Sequence, residues 1–317
     1  MLSAVGIGVT YGLFARLVFD KRVSREYFEP MSFAFIFGVP VVLGFLTVYI
    51  GERENNWNWA ERLFLPWVTA WLALFAALAL GWEGIICVFL WGPLFMVLSS
   101  VGALLALFVR EVLGTNKPNA FVLCSVAVLP FLITPIERQF TPPSQMRTVA
   151  TQIEIASDVA TVWRNIERVP AIQPAEHSFA LSHLIGFPKP DEARLIGSGV
   201  GAIRHATFER GVLFIETITD WQPQQYLAFT IKADADKIPP TTLDQHVTVG
   251  GPYFDVLQGD YRIEPLANGR VRLHLGSTHR LSTRFNFYAG WWTDFIMRDT
   301  QNYILRIIKG RCETLPR

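Results

Sequence analysis

His205 and Glu216 are the residues whose spacing best suits acid–base chemistry. They lie in two strand-like runs, 200–208 (VGAIRHATF) and 212–221 (VLFIETITDW), with Arg210-Gly211 between them. If that dipeptide is a two-residue hairpin loop, His205 stands directly opposite Glu216, with Cβ atoms about 4.5–5.5 Å apart. A carboxylate so placed orients an imidazole and raises its pKa, which makes a general acid–base pair or a polar hook for a ligand. The competing reading is an ordinary cross-strand ion pair on a solvent face.

Other polar side chains share faces with apolar ones. Tyr261 alternates with Gly259 and Ile263, and His279 with Leu273, Leu275 and Ser277. If those faces line a gap, Tyr261 and His279 bring polar tips into an apolar pocket, the usual composition of a small-molecule site. Trp292, Asp299 and Tyr303 lie on a helical segment, 285–312, that would form the other wall. A buried Asp299 needs a partner, and Arg204, Arg280 and Arg306 are the candidates. The expected ligand-binding set is therefore His205, Glu216, Tyr261, His279, Trp292, Asp299 and Tyr303, with His205 and Glu216 as the catalytic candidates.

Metal chemistry is not expected. His177 and His183 are six apart, on opposite faces of a helix expected over about 174–185. Cys87, Cys124 and Cys312 lack zinc spacing. P-loop, GxSxG, GxGxxG and kinase signatures are absent, so no nucleotide-type cofactor is implied.

The elements that must position these residues occupy the second part of the chain. Residues 148–156 read as a strand and Ser157 as the N-cap of a helix in which Val159, Val162, Trp163 and Ile166 share a face. Gly and Pro punctuate 186–199. Strand-like runs follow at 200–208, 212–221, 226–232, 253–264 and 270–280, with Asn268-Gly269 as a two-residue turn and a long loop over 234–251. One antiparallel sheet with a long terminal helix against one face is an α+β layout.

The first part has a different composition. Of 317 residues, 51% are hydrophobic and 17% charged, against about 25% charge in an ordinary soluble chain. Residues 1–136 hold 8 Lys/Arg and 8 Asp/Glu, the rest 20 and 19, and all six His lie after residue 136. A net charge of +1 implies no nucleic-acid partner. Five apolar runs, 1–19, 31–50, 63–80, 82–109 and 120–136, are expected to cross a bilayer. The first lacks a signal-peptide cleavage pattern and is expected to remain as a span, with Arg16 snorkelling from its end. Trp57, Trp59, Trp82 and Tyr27 sit near run ends as an interfacial belt should. The first connector and the C-terminal part share Lys21, Arg22, Arg25, Arg138 and Arg147, against Arg53, Arg62, Arg110 and Lys117 opposite. That favours a multi-pass plasma (inner) membrane protein with a cytoplasmic C-terminal part. The expected organisation is a membrane region over 1–136, a polar Pro-containing linker over 137–147, and a domain over 148–317.

The domain sequence resembles the SRPBCC superfamily, the START and polyketide cyclase/dehydrase-like helix-grip proteins. The resemblance is carried by I-x-I-A-S-D-V-A-T-V-W-x-x-I (Ile153 to Ile166), by G-x-G-A-I-R-H…F-I-E-T-I-x-x-W…L-A-F-T-I (Gly199 to Ile231), and by G-D-Y-R-I-E-P-L…G-R-V-R-L with the Trp-rich final helix. It spans roughly 148–312. It implies a curved antiparallel sheet gripping a C-terminal helix, and a cavity beneath that helix for a lipid, sterol or polyketide. The bacterial branch resembled carries a Pro-rich loop with a His-Leu pair, where Pro239-Pro240 and His246-Val247 stand here. The expected function is binding of a hydrophobic small molecule beside the bilayer. The alternatives are a cyclase/dehydrase using His205, Glu216 and Tyr261 for proton transfer, and a membrane assembly or sensing protein.

Overall fold

A computed structural model describes residues 1–20, 28–52, 57–114, 118–234 and 249–314. Most of the long loop, with Pro239-Pro240 and His246-Val247, lies outside them, as do Lys21, Arg22, Arg25 and Tyr27. The chain divides into two compact units, Met1–Pro142 and Pro143–Arg317.

The first unit is helical: α1 (Leu2–Val18), α2 (Ala34–Gly51), α3 (Trp59–Ala79), α4 (Ile85–Leu113) and α5 (Ala120–Glu137). Four of these, α2 to α5, are long and apolar enough to cross a membrane by length and composition. At 17 residues α1 is a shorter apolar helix, so four of the five runs expected to cross form helices of that length. Its α2 opens with a π-turn, Ala34–Gly38, because Pro40 lacks an N–H and its ring displaces the carbonyl four residues back. A Cβ on Gly44 or Gly102 would overlap the backbone of Ser99 or Val41, so glycine is what lets α2 and α4 touch. Arg16 does not reach solvent. It is buried, ion-paired with Glu83, and donates Nη2 to the Trp82 carbonyl at 2.5 Å. Phe75, Leu104, Phe108, Phe121 and Leu132 point outward.

The second unit is one seven-stranded antiparallel sheet ordered β1-β7-β6-β5-β4-β3-β2. The strands are β1 (Gln145–Ile155), β2 (Pro190–Ile196), β3 (Ile203–Phe208), β4 (Val212–Gln222), β5 (Tyr226–Ala233), β6 (Phe254–Pro265) and β7 (Val271–Leu281). Register shifts at 218/220 and 256/258 bend the sheet, as bulges do. Its concave face buries Leu227, Phe229, Ile263, Leu273 and Leu275 against α6 (Val159–Glu167) and the 29-residue α8 (Asn286–Thr314), through Leu305 and Ile308. This is the helix-grip arrangement the resemblance implied.

Two local expectations fail. The helix cap is Asp158, whose carboxylate accepts from Thr161 N at 2.9 Å, not Ser157; the aspartate sits one residue nearer the first helical N–H groups it satisfies. The helix expected over 174–185 is a single 3₁₀ turn, Pro174–Glu176, and a short α7 (Leu181–Leu184).

Candidate functional site

The hairpin between β3 and β4 decides the site. Its loop is three residues, Glu209-Arg210-Gly211, with Arg210 at φ 61° and Gly211 at φ 79°. Phe208 therefore pairs with Val212, Arg204 with Glu216, and His205 with Ile215. One extra loop residue shifts the register and sends His205 to the opposite face of the sheet from Glu216. The expected His205–Glu216 pair does not exist, and the two residues share no site.

Arg204 takes the place expected for His205. It is 3% exposed and Glu216 6%, so neither charge has water to rely on. Arg204 Nε donates to Glu216 Oε2 at 2.5 Å, and Nη1 to the Ile166 carbonyl at 2.6 Å. Its guanidinium carbon lies 4.4 Å from the Phe229 ring centre and 5.8 Å from that of Tyr261, within cation–π range. Phe229 can lie there because its cross-strand neighbour is Gly259: a Cβ on Gly259 would come within 2.6 Å of the ring. Burial raises the Glu216 carboxyl above its usual range, with the Arg204 charge opposing. Burial likewise pushes the Tyr261 phenol up to about 12.

These three side chains line a cavity of about 70 Å³ between the sheet and α8. The other walls are mostly apolar: Ala193 and Ala206 from β2 and β3, and Ile304, Ile307 and Ile308 from α8. The arrangement is an apolar pocket with one charge-compensated polar patch. It can seat an apolar body and give a hydrogen-bonding end a fixed orientation. The volume is about half that of an apolar cavity that admits benzene, roughly 150 Å³, so a larger guest requires α8 and the sheet to part.

The remaining expected residues lie elsewhere. His279 is fully buried on β7, with Nε2 3.3 Å from Thr293 Oγ1 and 3.7 Å from Asp294 Oδ1, and burial lowers its pKa. Its Nδ1 has no hydrogen-bond partner among the described residues. Asp294 in turn accepts two bonds from Arg147, at 2.9 and 2.6 Å. Two turns along α8, Gln301 bonds Ser277, Thr151 and the Val149 carbonyl. Together these groups tie α8 to β1 and β7. Trp292 is half-buried near the start of α8, against Tyr288, Trp291 and Phe295. Asp299 meets none of the three candidate arginines. It accepts from Ser182 N at 2.7 Å and so caps α7. Tyr303 is buried between both histidines once expected to diverge, hydrogen-bonded to His177 Nδ1 and edge-on to His183 at 4.4 Å. The broken helix at 174–185 brings them together. Among the described residues no group of three or more metal-ligating side chains forms.

No protein-family profile and no curated protein matches the chain. Solved structures do. A START superfamily protein from Mycobacterium smegmatis covers 53% of this chain and 99% of its own, at 11% identity and a TM-score of 0.35. An aromatase/cyclase from a Streptomyces species covers 53% and 94%, at 15% identity and TM-score 0.32. Norcoclaurine synthase from Thalictrum flavum, solved with dopamine and hydroxybenzaldehyde, covers 53% and 86%, at 13% and 0.33. Each of these likenesses spans about half of this chain, and at these identities and TM-scores they assign it no family, ligand or reaction.

Of the residues lining this cavity, the sequence pointed to Glu216 and Tyr261, to Arg204 only as a partner for Asp299, and not to Ala206 or any of β2. Arg204 carried a signal, since it alternates with the apolar positions Ala202 and Ala206. In β2, Pro190 and a short Ala193/Leu195 alternation left too little pattern to distinguish a strand from a loop.

Proposed function

We propose that the unit Pro143–Arg317 binds an apolar small molecule with one polar end, held beside a bilayer by the helices of the first unit. The observation that carries this reading is the buried Arg204–Glu216 pair on the wall of an otherwise apolar cavity. A buried ion pair adds little to stability over apolar residues of the same volume, so its placement there favours a role toward a guest. Because Glu216 already balances Arg204, the guest's polar end is a neutral carbonyl or hydroxyl, not a second carboxylate.

The tether rests on four helices of spanning length and on the large apolar side chains that face outward from them. Those side chains suit lipid and not water. Four spans separate the connector at 21–27 from Arg138. On this reading both fall on one side whether or not α1 crosses, and the small excess of positive residues in the sequence there favours the cytoplasmic side.

Proton transfer is the second reading. It is favoured by the raised Glu216 carboxyl beside Tyr261; His205, on the other face, takes no part in it.

Native mass spectrometry of the full-length protein, released from detergent, tests the binding reading. A bound apolar compound in the wild type, missing from the Arg204→Met/Glu216→Leu double variant, is the expected result. A wild type that carries nothing, or a compound kept equally by both, would overturn it.

A further inference from the structure

The outward face of α8 changes character along its length. Phe287, Trp291 and Phe295 are 72%, 61% and 38% exposed. Spaced by four, they drift only about 40° per step and form one stripe. Trp291 stacks on Phe295 with ring centres 6.2 Å apart. The same face continues as Arg298, Asn302 and Arg306, all exposed and polar. A helix lying wholly in water has no reason to be aromatic at one end and charged at the other. A helix that reaches a bilayer with its first turns has, because Trp and Phe favour the headgroup level.

The chain supplies the second argument. Asn286, the first residue of α8, donates Nδ2 to the Pro143 carbonyl at 2.9 Å. It also holds Thr283 through Oδ1 at 2.8 Å. Pro143 is six residues after Glu137, where α5 ends. Six extended residues reach about 20 Å. The aromatic end of α8 is thus held on a short leash from a helix of spanning length, while its polar end lies some 15 residues further along.

We propose that the first three turns of α8 rest on the surface of a lipid bilayer, with Phe287, Trp291 and Phe295 seated among the headgroups. This docking rests on the reading of α2 to α5 as spans. The cavity wall, Ile304 to Ile308, belongs to the far half of the same helix. A bilayer contact at one end therefore bears on how firmly the other end closes the cavity.

Nitroxide labels on the full-length protein in phosphatidylcholine nanodiscs test the proposal. With Cys124 replaced by Ala, single labels go at Phe287→Cys, at Asn302→Cys and, as a span marker, at Val97→Cys. The expected result is that labels 97 and 287 collide with oxygen and are shielded from a water-soluble nickel complex, while 302 is open to nickel. Adding Trp291→Ala and Phe295→Ala should return label 287 to nickel exposure. If 97 is shielded but 287 collides with nickel as freely as 302, the docking is wrong and the spans stand. If 97 itself is open to nickel, both fall.

Discussion

Two places under α8 use the same chemical groups to different ends. At the β3–β4–β6 side an arginine, a carboxylate and a tyrosine are sealed from water against a cavity. At the β1–β7 side the Arg147 and Asp294 side chains are each 24% exposed and bond each other twice; Asp294 lies 3.7 Å from His279, and a Cβ on Gly290 would come within 2.8 Å of the Arg147 guanidinium. The first pair has lost its hydration and retains room for a guest. The second retains some hydration and packs closely on Gly290. The contrast is one of burial and room, and the proposed binding site needs both at one Arg–carboxylate pair.

The largest effect that can break this contrast is charge removal at the sealed pair. Glu216→Gln leaves Arg204 buried and uncompensated, at a cost of about 3–5 kcal/mol, whereas Arg204→Met/Glu216→Leu is expected to be neutral or stabilising. Both are read from the denaturant midpoint of the sheet signal. If the double variant is as unstable as the single, the pair is a structural necessity and the contrast fails.

Next comes Gly259→Ala. The new methyl would meet the Phe229 ring at 2.6 Å and displace the support under Arg204, costing about 1–3 kcal/mol. An unchanged midpoint would mean that the ring gives way freely.

Asp294→Asn should cost only about 1 kcal/mol, since partly exposed pairs contribute little, and should leave ligand retention intact. A loss at Asp294 equal to that at Glu216 would erase the distinction between the two places.

The smallest effect is in pH. His279, like His183, has its pKa lowered by burial, so the folded state favours the neutral ring. Stability is then complete above the unfolded imidazole value of about 6.5 and is lost as pH falls below it. His279→Gln should flatten the slope of melting temperature against pH in that window. A slope unchanged in the variant would place the titration elsewhere.

Much of the fold was legible in the sequence because the strand-like runs from 200 to 280 alternate and the segment 285–312, with Trp292 and Tyr303, reads as one long helix. The site was half legible. Tyr261 was singled out from face-sharing alone, which needs only the period of a strand, whereas Glu216 was singled out through a pairing with His205 that the register does not make. Pairing across strands needs the loop length as well, and Arg210-Gly211 fits a two-residue and a three-residue turn equally. One residue, Glu209, therefore exchanged His205 for Arg204. Asp299 and the two histidines were misplaced for a related reason: their partners depend on where the 174–185 helix breaks, a choice made by tertiary packing around Tyr303.

The most direct test of the binding account is to fill the cavity without touching its charges. Ala206, buried and on the cavity wall, can be changed to Val in the full-length protein, and bound small molecules measured by mass spectrometry beside the wild type. The account predicts that the apolar compound found with the wild type is lost while the domain stays folded. Undiminished retention in the folded Ala206→Val protein would contradict it.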